Sequence, residues 1–195
     1  MAKRAAEKAL CARGALMRAT GLPVLDFSES NPTRVGLGTP GLECLLDPAN
    51  RVYEPDPRGL IRAREALAAD YESRRDRLRG GSGPRPENIF LCASTSEGYG
   101  WLFKLLCDPG DAVLVPKPGY PLFDYLAGLE AVEARPYRLD YSHPRGWRID
   151  LDSVRAALER GVAKALVLIH PNNPTGSYIK AEEGAAIIEL CRSFG

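Results

Sequence analysis

The sequence predicts an α/β fold in which a mostly parallel sheet is covered by helices on both faces, giving three layers. From residue 88 onward, apolar strand-like runs alternate with helical segments, the order expected for parallel strands joined by crossover helices. Turn residues separate these segments; in Asp108-Pro109-Gly110-Asp111, for example, proline and glycine stand where a type II turn requires them. A chain of 195 residues is long enough to bury a core of this kind.

The first part of the chain predicts a helix and an arm rather than a core. Residues 3–19 have a helix-forming composition, and residues 24–27 are a short candidate strand. The stretch that follows, 30–57, is rich in proline, glycine and asparagine, which favours irregular structure. We therefore divide the chain into an N-terminal helix and arm at 1–57 and an α/β portion at 58–195.

The α/β portion is predicted element by element from apolar spacing. Apolar residues recur at helical spacing in Leu60, Leu67 and Tyr71, whereas short runs rich in valine, isoleucine and leucine indicate strands. Asp150 or Asp152 is expected to cap the helix that follows it. Helices are expected at 58–79, 96–107, 120–128, 151–160 and 180–194, and strands at 88–93, 112–115, 130–138, 147–149 and 163–169.

Composition excludes several classes of function. The net charge is +1, so a nucleic-acid or membrane-surface role has no electrostatic support, and we expect neither as a partner. No segment approaches 18 uncharged apolar residues, and the charged N-terminus leads into no apolar signal region. The cysteines are odd in number and scattered, which is typical of reduced thiols in a cytoplasmic protein: Cys11, Cys44, Cys92, Cys107 and Cys191.

A proline-rich motif follows the apolar run 165–169. It reads His170-Pro171-Asn172-Asn173-Pro174-Thr175-Gly176, and its prolines stiffen a loop that can hold the Asn173 amide as a fixed hydrogen-bond donor. A fixed donor at the end of a strand suits a ligand oxyanion. The alternative is a strand-to-helix turn that binds nothing.

A second motif, Ser94-Thr95-Ser96, stands between a predicted strand and a predicted helix. Its backbone N–H groups and hydroxyls can surround a phosphate at the positive end of the helix dipole. No Gly-Lys-Ser/Thr phosphate loop is present, so a nucleoside triphosphate is not expected. The alternative is an ordinary helix cap completed by Glu97.

The third motif places Gly119 and Tyr120 just after another predicted strand. The Tyr120 ring can stack on a planar heteroaromatic ligand, or it can plug the top of the core. In a parallel sheet all three motifs would meet at one edge, which is the usual ligand edge of open α/β folds. A phosphate cradle, a stacking face and an oxyanion donor together describe pyridoxal 5'-phosphate (PLP).

These motifs, in this order, resemble the N-terminal half of class I/II aminotransferases, which are fold-type I PLP-dependent enzymes. The resemblance covers nearly the whole chain, through Asn31-Pro32-Thr33, Tyr53 to Gly59, Ser94-Thr95-Ser96, Tyr120 and Asn173-Pro174-Thr175-Gly176. It implies an incomplete PLP-transferase large domain. It also implies transfer of an amino group between an amino acid and a 2-oxo acid.

The resemblance assigns roles to individual residues. Thr95 and Ser96 are implied to bind the cofactor phosphate, Tyr120 to stack on its ring, and Asn173 to hydrogen-bond its 3′ oxygen. Tyr53 matches a tyrosine that reaches the phosphate in the neighbouring subunit, which implies a homodimer. One departure is Ser94, where family members often carry glycine.

No catalytic residue is assigned in this chain, because the family's Schiff-base lysine lies further along than Gly195. None of the lysines present matches its position: Lys3, Lys8, Lys104, Lys117, Lys164 and Lys180. We therefore expect an N-terminal fragment that is inactive alone. Two alternatives stay open: a fragment of a PLP-dependent lyase or decarboxylase on the same fold, and a non-catalytic half that pairs with a second chain.

Overall fold

The computed structural model of the chain describes residues 12–21, 31–38, 41–74 and 83–194. The chain divides into two compact units, Met1–Glu54 and Pro55–Gly195. In the first unit, residues 12–19 form helix α1, and short 3₁₀ turns follow at Pro32–Val35, Leu42–Leu46 and Pro48–Arg51. The strand predicted at 24–27 and the start of the helix predicted at 3–19 lie outside the described residues.

The second unit contains the predicted alternation of helices and strands. Asp150 caps its helix as expected, because its carboxylate accepts the Ser153 N–H at 3.1 Å. The elements are α2 at Ile61–Ser73, α3 at Thr95–Leu106, β1 at Ala112–Lys117, α4 at Phe123–Leu129, β2 at Glu133–Ser142, β3 at Gly146–Ile149, α5 at Leu151–Glu159, β4 at Ala163–Leu166 and α6 at Ala181–Phe194.

The four strands in the described part of the chain form one sheet in the order β3-β2-β1-β4. Strand β1 runs parallel to β2 and β4, while β3 is an antiparallel edge strand beside β2. On one face of β1, Val113 and Val115 pack in a cluster with Phe103 of α3 and Phe123 of α4. On the other face, Leu114 packs with residues of α5 and α6. The predicted three-layer α/β fold is therefore confirmed.

The strand predicted at 88–93 is wrong. Ile89 has extended backbone angles, but the segment makes no strand ladder with any described strand, and Phe90 is 63% exposed. Its backbone is tied instead to a loop, because the Leu91 N–H donates to the Arg58 carbonyl at 2.9 Å. An apolar run has the composition of a strand, but it becomes one only where another strand pairs with it.

A buried arginine fixes the loop that precedes α2. Arg64 of α2 is 2% exposed and donates to the carbonyls of Gly59 and Pro86 at 2.8 and 2.9 Å. Its guanidinium also pairs with Asp56 at 2.6 Å. The Arg58 backbone N–H and this guanidinium hold the pKa of the Asp56 carboxyl below its usual value. Three separate backbone segments are thereby joined through one side chain.

We expect the Tyr137 hydroxyl to contribute to stability through one buried hydrogen bond. Tyr137 is 1% exposed, its hydroxyl donates to the Val167 carbonyl at 2.9 Å, and burial raises its pKa. Tyr137→Phe keeps the ring but leaves that carbonyl without its donor, so the free energy of unfolding should fall by about 1 kcal/mol. Urea denaturation measures this change. Tyr141→Phe is the matched control, because Tyr141 is 60% exposed, and equal effects for the two variants would contradict the assignment.

Candidate functional site

The parallel pairing of β1 and β4 brings two of the sequence motifs to one edge of the sheet. The turn after β1 carries Pro118, Gly119 and Tyr120, and the loop after β4 carries Asn172 and Asn173. The two are in direct contact, since the Asn172 side-chain N–H₂ donates to the Pro118 carbonyl at 3.2 Å. This is the carboxyl edge of the strands, where ligands bind in open α/β sheets.

The N-terminus of α3 is capped by its own residues. The Ser94 hydroxyl accepts the Glu97 N–H at 3.3 Å, and the Glu97 carboxylate accepts the Ala93 N–H at 2.6 Å. The capping arrangement considered as an alternative is therefore present. It leaves the N–H groups of Thr95 and Ser96 without a hydrogen bond to the rest of the described chain. These two donors point out of the first turn, at the positive end of the helix dipole.

Tyr120 links the turn after β1 to the start of α3. Its hydroxyl lies 3.3 Å from the Ser96 hydroxyl, and its ring packs edge-to-face on Phe123 with centroids 5.7 Å apart. Phe123 in turn packs edge-to-face on Tyr99 at 5.0 Å, and burial raises the pKa of Tyr99. Tyr120 is only half-buried, so its ring both covers the core and borders the site.

Gly119 is required by the shape of this turn. A Cβ atom placed on it would lie 2.0 Å from the Pro116 carbonyl oxygen, a contact that no side chain tolerates. The missing side chain lets the backbone fold back tightly, and this folding brings Tyr120 beside α3.

The adjacent asparagines Asn172 and Asn173 have different environments. Asn173, the predicted oxyanion donor, is exposed, and its side chain forms no hydrogen bond with the part of the chain that is described. Asn172 is 6% exposed and bonds to Pro118 and Thr175. Sequence reasoning did not single out Asn172. No local signal could have indicated it, because the Asn172 amide is bonded to the Pro118 carbonyl, 54 positions away.

The predicted site residues are thus brought together in part. Ser96 and Tyr120 are in contact, Thr95 lies one residue away on the same helical turn, and Asn173 adjoins the residue that binds Pro118. Tyr53 belongs to the other compact unit and is 91% exposed. Among the residues with described positions, no cluster of three or more His, Cys, Asp or Glu side chains could hold a metal ion. Nor is any described helix long and apolar enough to cross a membrane.

Comparison with known proteins defines the class of protein. A family model described as aminotransferase class I and II matches residues 45–195. The chain therefore belongs to the class I and II aminotransferase family, as the sequence motifs predicted.

Individual relatives bear different names. The chain is 33% identical over 177 residues to the glutamate-pyruvate aminotransferase AlaA of Escherichia coli. The aligned region covers 88% of this chain and 41% of the relative. The chain is also 32% identical over 139 residues to the S-alkyl-thiohydroximate lyase SUR1 of Arabidopsis thaliana. This alignment covers 70% of this chain and 28% of the relative. The chain thus spans less than half the length of these curated relatives.

Solved structures give the same partial coverage. A crystal structure of an Escherichia coli aminotransferase superposes with a TM-score of 0.69 at 30% identity, covering 94% of this chain and 44% of that one. An aspartate aminotransferase from Rhodobacter sphaeroides reaches a TM-score of 0.70 at 22% identity, with 89% and 45% coverage. Because its identity is only 22%, the similarity to the Rhodobacter sphaeroides enzyme supports the fold alone.

We expect Gly119→Ala to destabilise the turn that carries Tyr120. The clash with the Pro116 carbonyl can be relieved only by moving backbone, and such overpacking lowers the free energy of unfolding by about 1–3 kcal/mol. Gly100→Ala in α3 is the control, because a Cβ there meets nothing within 4 Å, and alanine raises helix stability by up to about 1 kcal/mol. Urea unfolding of both variants measures the difference. Equal stabilities would show that the turn is free to rearrange.

Proposed function

We propose that this chain is the N-terminal part of a PLP-dependent aminotransferase that acts on an amino acid and a 2-oxo acid. One observation carries the proposal: the hydroxyls of Ser96 and Tyr120 meet at the carboxyl edge of the sheet, beside the loop of Asn173. The aminotransferase names of the relatives support the reaction class.

The residues at this edge fit the chemistry of the cofactor. The unbonded N–H groups of Thr95 and Ser96, with their hydroxyls, match a phosphate. The half-buried ring of Tyr120 offers a flat apolar face to a pyridine ring, and the open amide of Asn173 offers a donor to a phenolic oxygen. When bound, PLP supplies an electron sink for the carbon beside the amino group.

The residues of this chain are proposed to bind and orient, while the reactive amine is supplied elsewhere. Two lysines are already engaged: Lys180 donates to the Trp147 carbonyl at 2.9 Å, and Lys104 lies 3.9 Å from the Glu130 carboxylate. Helix α3 would hold the phosphate with its N–H groups, Phe123 holds the Tyr120 ring by an edge contact, and Asn173 would stabilise negative charge on the ring oxygen.

A second candidate function is a PLP-dependent lyase on the same fold. The observation that favours it is the match to a relative named as a lyase, at nearly the identity of the match to the aminotransferase AlaA. A non-catalytic half that completes its site with a second chain is the third candidate. The open outer edge of β4, which pairs only with β1 among the described strands, offers room for a further strand.

We also propose that the complete protein is a cytoplasmic homodimer. Tyr53 is 91% exposed, so it is free to reach a neighbouring subunit's cofactor phosphate, which is the role that the family pattern implies. The free thiols of Cys92, Cys107 and Cys191 are consistent with a reducing compartment.

The binding role of this edge is testable with 4′-deoxypyridoxine 5′-phosphate. This compound keeps the phosphate and the phenolic oxygen but has no aldehyde, so it cannot react with surface lysines. We expect saturable binding by the purified chain in a ³¹P NMR titration, and about tenfold weaker binding by Asn173→Ala, because a hydrogen bond to a charged oxygen is lost. Asn88→Ala is the control on an exposed asparagine. Lack of saturation, or the same loss in both variants, would contradict the proposed site.

Catalysis by the isolated chain is expected to be absent. Conversion of PLP to pyridoxamine phosphate needs an amine that holds the cofactor and a base that moves the proton, and neither role is assigned to a residue of this chain. The assay follows this conversion with a panel of amino acids, with free PLP as the reference. Turnover well above free PLP would show that the 195-residue chain assembles an active site of its own.

A further inference from the structure

The buried side chain of Asn172 contacts both loops of the candidate site. Its N–H₂ group donates one hydrogen bond to the Pro118 carbonyl at 3.2 Å and another to the Thr175 hydroxyl at 2.8 Å. Pro118 belongs to the turn that leads to Tyr120, and Thr175 belongs to the loop that carries Asn173. One amide therefore joins the segment that bears the stacking ring to the segment that bears the oxyanion donor.

The direction of these bonds is fixed by chemistry. The Pro118 carbonyl can only accept a hydrogen bond, so the nitrogen of the Asn172 amide, rather than its oxygen, must face it. The Thr175 hydroxyl accepts from the same nitrogen and also lies within hydrogen-bond distance, 2.7 Å, of the Ser177 hydroxyl. The loop closes further through the backbone, where Asn172 N–H donates to Ser177 and Gly176 N–H donates to Asn172 at 2.9 and 2.7 Å.

The other end of this amide contributes no hydrogen bond. The Asn172 Oδ1 atom is buried and has no hydrogen-bond partner within the described parts of the chain. A buried oxygen left in this way is unfavourable for folding, and an apolar side chain of the same size would avoid that cost. An asparagine at this position is thus explained by its side-chain nitrogen, which connects the two loops.

We propose that Asn172 is a positioning residue that sets the separation between Tyr120 and Asn173. This inference rests on the proposed function, because it assigns to Asn172 the geometry of the cofactor site. Asn172 acts through the two loops and touches no ligand itself. A binding constellation has to be held within about 0.5 Å of its productive geometry, and a single buried donor shared by both loops provides such a restraint.

The test compares Asn172→Leu with Thr175→Val, using amide NMR spectra of the full 195-residue chain. Asn172→Leu removes both bonds without burying a charge, so the amide signals of Gly119 and Tyr120 should shift together with those of Asn173 and Gly176. Thr175→Val removes only bonds inside the loop, those to Asn172 and Ser177, so the Gly119 and Tyr120 signals should stay. Asn172→Asp is a second variant of the same size, and its carboxylate also cannot donate to Pro118. Unchanged Gly119 and Tyr120 signals in a folded Asn172 variant would overturn the proposal.

A second measurement separates positioning from a merely structural role. Asn172→Leu should bind 4′-deoxypyridoxine 5′-phosphate about tenfold more weakly. The effect of Asn173→Ala should shrink in the Asn172→Leu background, because the donor is already misplaced. Fully additive losses would overturn the positioning role. If the wild-type chain does not bind the probe, the proposed function fails, while the NMR comparison still decides whether Asn172 couples the loops.

Discussion

The burial of β1 on both faces is the constraint on which the rest of this structure depends. Val113 and Leu114 are fully buried, although they point to opposite faces, so helices must cover both sides of the strand. Helices on both sides in turn require crossover connections, which make the neighbouring strands β2 and β4 run parallel to β1. Parallel strands end at the same edge. The meeting of the turn after β1 with the loop after β4 is therefore a consequence of core packing.

Apolar packing and polar contacts contribute differently to the placement of the Tyr120 ring at this edge. The Tyr120 ring is placed by apolar contact with Phe123, which belongs to the same buried cluster as Val113. A single hydrogen bond contributes only about 1 kcal/mol. The contact between the Tyr120 and Ser96 hydroxyls therefore could not hold the ring in place if its packing against the core were unfavourable. It can select the direction of the ring among the orientations that packing permits. The position of the Tyr120 ring thus follows from packing against the core, and its orientation follows from a few polar groups.

Much of this arrangement could be predicted from the sequence, and the parts that could not depend on distant residues. The helices and strands from residue 95 onward follow from local apolar spacing and turn residues, which act within a few positions. The error at 88–93 arose because a ladder partner is not visible in a local run of apolar residues. The contrast between Asn172 and Asn173 was missed for a similar reason: only the Pro118 carbonyl, 54 positions away from Asn172, decides which amide is buried.

The matched part of the chain is also informative about where the reaction type is specified. A relative named as an aminotransferase and one named as a lyase match it at 33% and 32% identity. This part of the chain is therefore about equally similar to proteins that are named for different reactions. The proposed phosphate site at a helix N-terminus, the proposed stacking ring and the proposed amide donor would recognise features of the cofactor rather than of a substrate. Under the proposed function, this edge of the sheet therefore contributes to cofactor recognition. The choice among reactions has to come from groups that contact the substrate, and none of the residues assigned in this chain does so.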